Sequence, residues 1–210
     1  MSATPIDAGP VGEWVTAFIA GQRGSEGVDV PCGSCTACCR SSYFIHVAPD
    51  ETDTLRRIPK ALLFPAPGAP RGTMVLGYDD QGRCPMLVDD RCSIYEHRPR
   101  ACRRYDCRVF AATGIDPADD GKADIAAQAA RWRFGTPAEG DRVRLTALRA
   151  ATEFLRAHPE CLEGVPTATG TTSTQALAAL AVHHLFLAAD GRSVVAPEPV
   201  DIVAALRTTA

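Results

Sequence analysis

Eight of the nine cysteines in this chain lie between Cys32 and Cys107, and the ninth, Cys161, stands alone. Thiols concentrated in this way restrict the segment to a disulfide framework or to metal and redox chemistry. The compartment decides between them. The amino terminus, MSATPIDAGPVGEW, carries neither the basic nor the apolar stretch of a secretory signal. The longest apolar run, Ala176 to Ala189, is broken by His183 and His184 and is too short to span a bilayer. The sequence therefore predicts a cytoplasmic chain, where disulfides are reduced and dense cysteine means metal or redox chemistry.

The first motif reads Cys32-x2-Cys35-x2-Cys38-Cys39. Thiols at spacing three let one short loop wrap a compact metal core, the rhythm of bacterial ferredoxin loops. Gly33, Ser34, Thr36 and Ala37 are small, so backbone N–H groups can approach sulfur. Adjacent residues point apart, which predicts that Cys38 and Cys39 serve different metals. Pro31 and Gly33 predict a loop at Cys32. Ser34, as an amino-terminal cap, predicts that Cys35 to Cys39 form the first turns of a helix. In that arrangement Cys32, Cys35 and Cys38 encircle one cubane.

The second set is Cys84-x7-Cys92-x9-Cys102-x4-Cys107, without the paired knuckles of common zinc modules. Arg83, Arg91, Arg98, Arg100, Arg103, Arg104 and Arg108 crowd it. Cationic neighbours lower thiol pKa and offset the charge of a multi-thiolate site, although a plain surface role is the expectation for most single arginines. Ordinary burial explains one cysteine, but not eight in two short segments.

With 210 residues, 46% of them apolar and 22% charged, the chain can build one sizeable core. A net charge of -3 gives no electrostatic case for a nucleic-acid or anionic-membrane partner. Residues 11–22 read as an amphipathic helix with Trp14, Phe18 and Ile19 near one face. A Gly-rich loop leads from it to the first motif. Tyr43 to Val47 reads as a strand, and Pro49 starts a helix with Asp50, Glu51 and Asp53 at its amino terminus and Leu55 and Ile58 inward. Residues 59–72 read as a loop. Strands 74–78 and 84–88, with turns at 79–82 and at Asp89-Asp90, predict a small hairpin or meander that presents Cys84 and Cys92 near its turns.

Helices are expected over 122–134, 142–157 and 174–189, the last apolar nearly all round, hence buried and central, and closed by Gly191. The predicted fold is mainly α with a small β meander: a compact cysteine-rich metal-binding module wrapped by helices. Residues 1–28 form an amino-terminal helix and loop, 29–112 the metal module, and 113–210 a helical part packing on it, in one compact domain overall.

The segments CGSCTACC at 32–39, CPML at 84–87 and CSIYEHRPRACRRYDC at 92–107 resemble the YkgJ-type cysteine-cluster family, described as a zinc- or iron-chelating domain. The signature is shared with flagellin N-methylases. The resemblance covers roughly residues 29–110 and implies metal chelation by Cys32, Cys35, Cys38, Cys39, Cys84, Cys92, Cys102 and Cys107. It also implies an iron–sulfur oxidoreductase as one possible activity.

His46 and His97 lie within reach of the motifs in sequence, but a lone histidine is more often packed or solvated. Of His183 and His184, adjacent in an apolar helix, one is expected in the core and the other partly exposed. Tyr43, Tyr95 and Tyr105 flank the cysteines, either as core aromatics or as a shield against water. The chain shows no G-x-G-x-x-G loop and no H-E-x-x-H motif.

The leading expectation is an iron–sulfur cluster of [4Fe–4S] type with a redox role and a protein redox partner. The alternative is a structural or regulatory zinc site without catalysis. The third is methyl transfer to a protein lysine, carried by analogy with the methylases alone.

Overall fold

The computed structural model describes residues 4–24, 27–28, 30–163 and 170–209. The Gly-rich approach to the first motif lies in part outside them, at positions 25, 26 and 29. The regular structure is mainly helical with small sheets, as the sequence predicts. The chain divides into two units, Ala17–Asp106 and Met1–Thr16 with Cys107–Ala210.

The first unit holds seven of the eight clustered cysteines. Its centre is a three-stranded antiparallel sheet with Met74–Leu76 between Ile45–Val47 and Leu63–Pro65. Ile45 and Leu63 both face Leu76 in register. Val47, Ile58, Leu76, Met86 and Ile94 form one buried core, and Cys84 and Cys92 pack against it. Leu63–Pro65 falls inside the stretch expected to be loop. Pro65 sits on an edge strand, where a missing N–H costs no ladder bond.

Of the predicted hairpin or meander the hairpin forms, Leu87–Val88 pairing with Arg91–Cys92, while the meander does not, because Met74–Leu76 pairs with the other two strands of its own sheet. The Asp89-Asp90 turn is real, with φ of +48° and +56°. Two consecutive left-handed residues make the turn whose twist suits a two-residue hairpin, and Asp tolerates that conformation.

Two short helices complete this unit, Thr52–Arg57 and Arg100–Arg104. The buried Glu51 joins their amino-terminal ends. Its carboxylate accepts from the backbone N–H of Ala48 at 2.9 Å and of Arg100 at 2.5 Å. Asp50 pairs with the Arg100 guanidinium at 2.5 Å, and Thr54 Oγ1 donates to the carbonyl of His97 at 2.8 Å. The acidic residues expected at the start of the first helix therefore also hold the second, which carries Cys102. Gly27 is required by a close approach: at φ +85° its Cβ position would lie 2.6 Å from the Arg103 carbonyl oxygen, next to the bond from Val28 N to that oxygen.

In the second unit the Glu139–Ala157 helix packs against Thr172–Val182 and the turn that follows it. Ala147, Ala151, Ala179 and Val182 are fully buried there, with Leu155, Phe186, Ile202 and Leu206 filling the same core. Small residues on facing sides let helices approach closely. Asp120 Oδ2 accepts from both N and Oγ1 of Thr172, each at 2.7 Å, and anchors the helix start. The helix stops at Val182 rather than 189, because the chain tightens into a turn at His183–Phe186 and then bridges Leu187 to Val194.

Residues 132–135 are a strand and not a helix end. Trp132–Gly135 runs parallel to Ile6–Pro10, with Ile6 facing Trp132. Trp132 and Phe134 alternate at strand period, and their partner is too distant in sequence to be anticipated. As expected, His183 is buried and His184 exposed.

Candidate metal centre

A cavity of about 670 Å³ lies in the Ala17–Asp106 unit, and Cys32, Cys35, Cys38, Cys39, Cys84, Cys92 and Cys102 all line it. Each is a half-buried free thiol. Cys32 and Cys35 occupy an open turn, with Cys35 N donating to the Cys32 carbonyl at 3.0 Å and Gly33 at φ +56°. Cys38 and Cys39 lie in the 3-10 turn Ala37–Arg40. The expected helix from Ser34 is thus reduced to one tight turn. Thr36 occupies the cap position without a side-chain cap bond.

The two motifs meet through the backbone: Cys84 N donates to the Cys39 carbonyl at 2.7 Å. Cys92 faces Leu87 across the hairpin, and Cys102 sits in the Arg100–Arg104 helix.

Burial pushes the Cys39 thiol up to about 12, and the neighbouring Cys84, Cys92 and Cys35 push the same way against Arg40. Burial likewise pushes Cys102 up to about 12, with Cys39, Cys84 and Cys92 adding to it and Arg98 opposing. Cys84 is also raised, first by burial, while the N–H groups of Met86 and Leu87 act against the rise. The arginines therefore do not win: desolvation and mutual repulsion keep these thiols protonated when nothing cationic is bound. A multivalent cation reverses that balance, because it stabilises several thiolates at once.

Most of the crowding arginines are engaged elsewhere. Arg83 pairs with Asp79 at 3.0 Å, Arg100 with Asp50, Arg104 donates to the Gly24 carbonyl at 2.7 Å, and Arg108 lies over the Trp132 ring. Only Arg91 and Arg98 of that group line the cavity. Arg40, ion-paired with Asp90, was not singled out by the sequence reading, although its position directly after Cys39 is a signal for it.

Tyr43, Tyr95 and Tyr105 all contribute to the lining, and the Tyr43 and Tyr105 hydroxyls share a hydrogen bond at 3.2 Å. His46 is exposed and His97 half-buried, and neither lines the cavity.

Cys107 falls in the other unit. It is buried, and its sulfur accepts a hydrogen bond from Trp132 Nε1 at 3.2 Å. Cys161 is buried in the helical core of that unit, among Ala151, Leu155 and Ile202.

Soft thiolate donors suit zinc, iron and iron–sulfur centres, so the chemistry of this donor set fits a metal. Among the described residues no three His, Cys, Asp or Glu side chains stand at the spacing of ligands to a single ion. Seven thiols from the two motifs line the one cavity. Among the described residues no helix is long and apolar enough to cross a membrane. No curated protein and no solved structure matches the chain. The resemblance read from the cysteine motifs is borne out: residues 31–119 match the model of the CxxCxxCC family, described as "Putative zinc- or iron-chelating domain".

Proposed function

We propose that this chain is a cytoplasmic iron–sulfur protein whose thiol-ringed cavity holds a cluster of [4Fe–4S] type and exchanges electrons with a protein partner. The supporting observation is that seven thiols from both motifs line one cavity. Cys84 and Cys92 push the Cys39 and Cys102 thiols upward, and among the described residues no three stand at single-ion spacing. A four-thiolate zinc site would bring neighbouring sulfurs to roughly 3.8 Å, from Zn–S distances near 2.3 Å, whereas a cubane spreads its ligands around an inorganic core. Cys39, Cys84, Cys92 and Cys102 come from four separate segments of the chain, a tight turn, a loop, a hairpin strand and a short helix, and are the proposed cluster ligands. Cys32, Cys35 and Cys38 form the remaining donor set on the same cavity, and Cys107 is the eighth candidate.

Such a cluster supplies reversible one-electron chemistry. The chain's own residues shape its surroundings. Met86 and Ile94 keep one side of Cys84 and Cys92 dry. Arg40 and Arg98 offset thiolate charge. Tyr43 and Tyr105 restrict water at the lining, as outer-shell groups do when they tune a potential.

Anaerobic purification followed by iron, zinc and acid-labile sulfide analysis tests this. The expected product is brown, holds about four irons and four sulfides per chain, and bleaches with dithionite. A colourless protein with stoichiometric zinc and no sulfide overturns the cluster and establishes the zinc alternative.

A further inference from the structure

The cavity is larger than a metal centre needs. Against its volume of about 670 Å³, an eight-atom inorganic core at about 15 Å³ for each water-sized atom takes up about 120 Å³. More than half of the space remains. Tyr43, Phe44, Tyr95 and Tyr105 bring four aromatic rings to the lining. Two of these are not spent in the core: Phe44 is 57% exposed and Tyr95 49%. A concave space of several hundred Å³, walled by aromatic and apolar side chains with few polar groups, has the physical character of a small-molecule site.

The fixed charges select the ligand class. Arg91 and Arg98 line the cavity, the Arg98 guanidinium covers one face of the Tyr95 ring at 4.1 Å, and Asp90 is paired with Arg40. Thiolates gathered around a metal carry net negative charge, which these arginines offset and which repels an added anion. Exposed rings gain most from covering apolar area with another ring.

We propose that the thiol cavity admits a small uncharged aromatic molecule, which packs against Phe44 and Tyr95 beside the metal centre. The inference rests on the metal reading of the same cavity. It makes the centre one that a substrate can reach, rather than one sealed for long-range electron transfer alone.

The test is anaerobic titration of the metal-loaded protein with 2-naphthol, followed by naphthol fluorescence and by the visible absorption of the centre. Saturable one-to-one binding is expected. Phe44→Ala and Tyr95→Ala should each weaken it about fivefold or more at unchanged metal content, in line with the loss of one aromatic contact. Val88→Ser, an exposed position outside the lining, should leave it unchanged. Absence of saturation up to millimolar naphthol overturns the proposal, as does binding that ignores both ring variants or that Val88→Ser weakens equally. A protein that retains no metal refutes the metal reading instead. The inference falls with it, and metal analysis separates that outcome from absent naphthol binding to the loaded protein.

Discussion

Cys84 donates its backbone N–H to the carbonyl oxygen of Cys39 at 2.7 Å, so the two cysteine motifs are stitched together by main chain before any metal is considered. The bond sets the spacing of two thiols that burial holds protonated. Metal binding to this site must release protons, and the pairing of motifs reduces the ordering that binding must impose.

The thiols divide by location. Cys84→Ser or Cys102→Ser should remove most of the bound metal, since each takes one donor from the cavity. Cys161→Ala should leave metal content unchanged and cost about 1 kcal/mol of stability, as a small truncation in the core around Ala151 and Ile202. Metal and sulfide analysis of the three purified variants checks both halves. Metal loss in Cys161→Ala would refute the division.

Glu51 holds the start of the helix that carries Cys102. Its carboxylate holds the first N–H of the Arg100–Arg104 helix at 2.5 Å while also accepting from Ala48. Glu51→Ala leaves two donors without their acceptor and should cost about 2–3 kcal/mol in denaturant unfolding. Glu51→Gln keeps an acceptor oxygen and should recover part of that loss. If the tie matters to the site, metal release to a chelator should be fastest in Glu51→Ala and intermediate in Glu51→Gln.

Acid should destabilise the helical unit before carboxylates titrate. His183 is buried, and its Nδ1 donates to the Leu180 carbonyl at 2.6 Å. Burial lowers its pKa below 6.5, with His184 and Arg144 pushing the same way and the Leu180 bond opposing. Below pH 6.5 the unfolded histidine takes a proton that the folded one refuses, so unfolding binds protons and stability falls as pH drops. Urea midpoints of metal-free protein should fall between pH 7 and 5, and His183→Gln should flatten that slope.

Metal removal should loosen the cysteine segment more than the helices. The Ala17–Asp106 unit holds short strands, tight turns and one small core, whereas the helices after Lys122 bury an extended apolar face of their own. Binding energy at such a site becomes folding energy. Hydrogen exchange after chelation should show protection lost across 29–110 and retained in Glu139–Ala157. Uniform loss would refute it.

What the sequence determined on its own is the chemistry and the locally encoded structure. Thiol spacing marked the cavity cysteines because a metal loop is a short-range object. The Asp89-Asp90 turn and the 139–157 helix were legible, the second to within three residues of its start, because dihedral preference and apolar periodicity act over a few residues. Tertiary structure decided everything that depends on a distant partner. Trp132 and Phe134 became a strand because Ile6–Pro10 lies beside them. Leu63–Pro65 became an edge because Met74–Leu76 accepted it. The arginines near the second motif were turned toward Asp79, Asp50 and the Gly24 carbonyl, so burial set the thiol pKa values instead. Cys107, the last cysteine of the motif, went with Trp132 into the other unit. Composition cannot show such pairings, since desolvation and long-range contacts exist only once the chain has closed on itself.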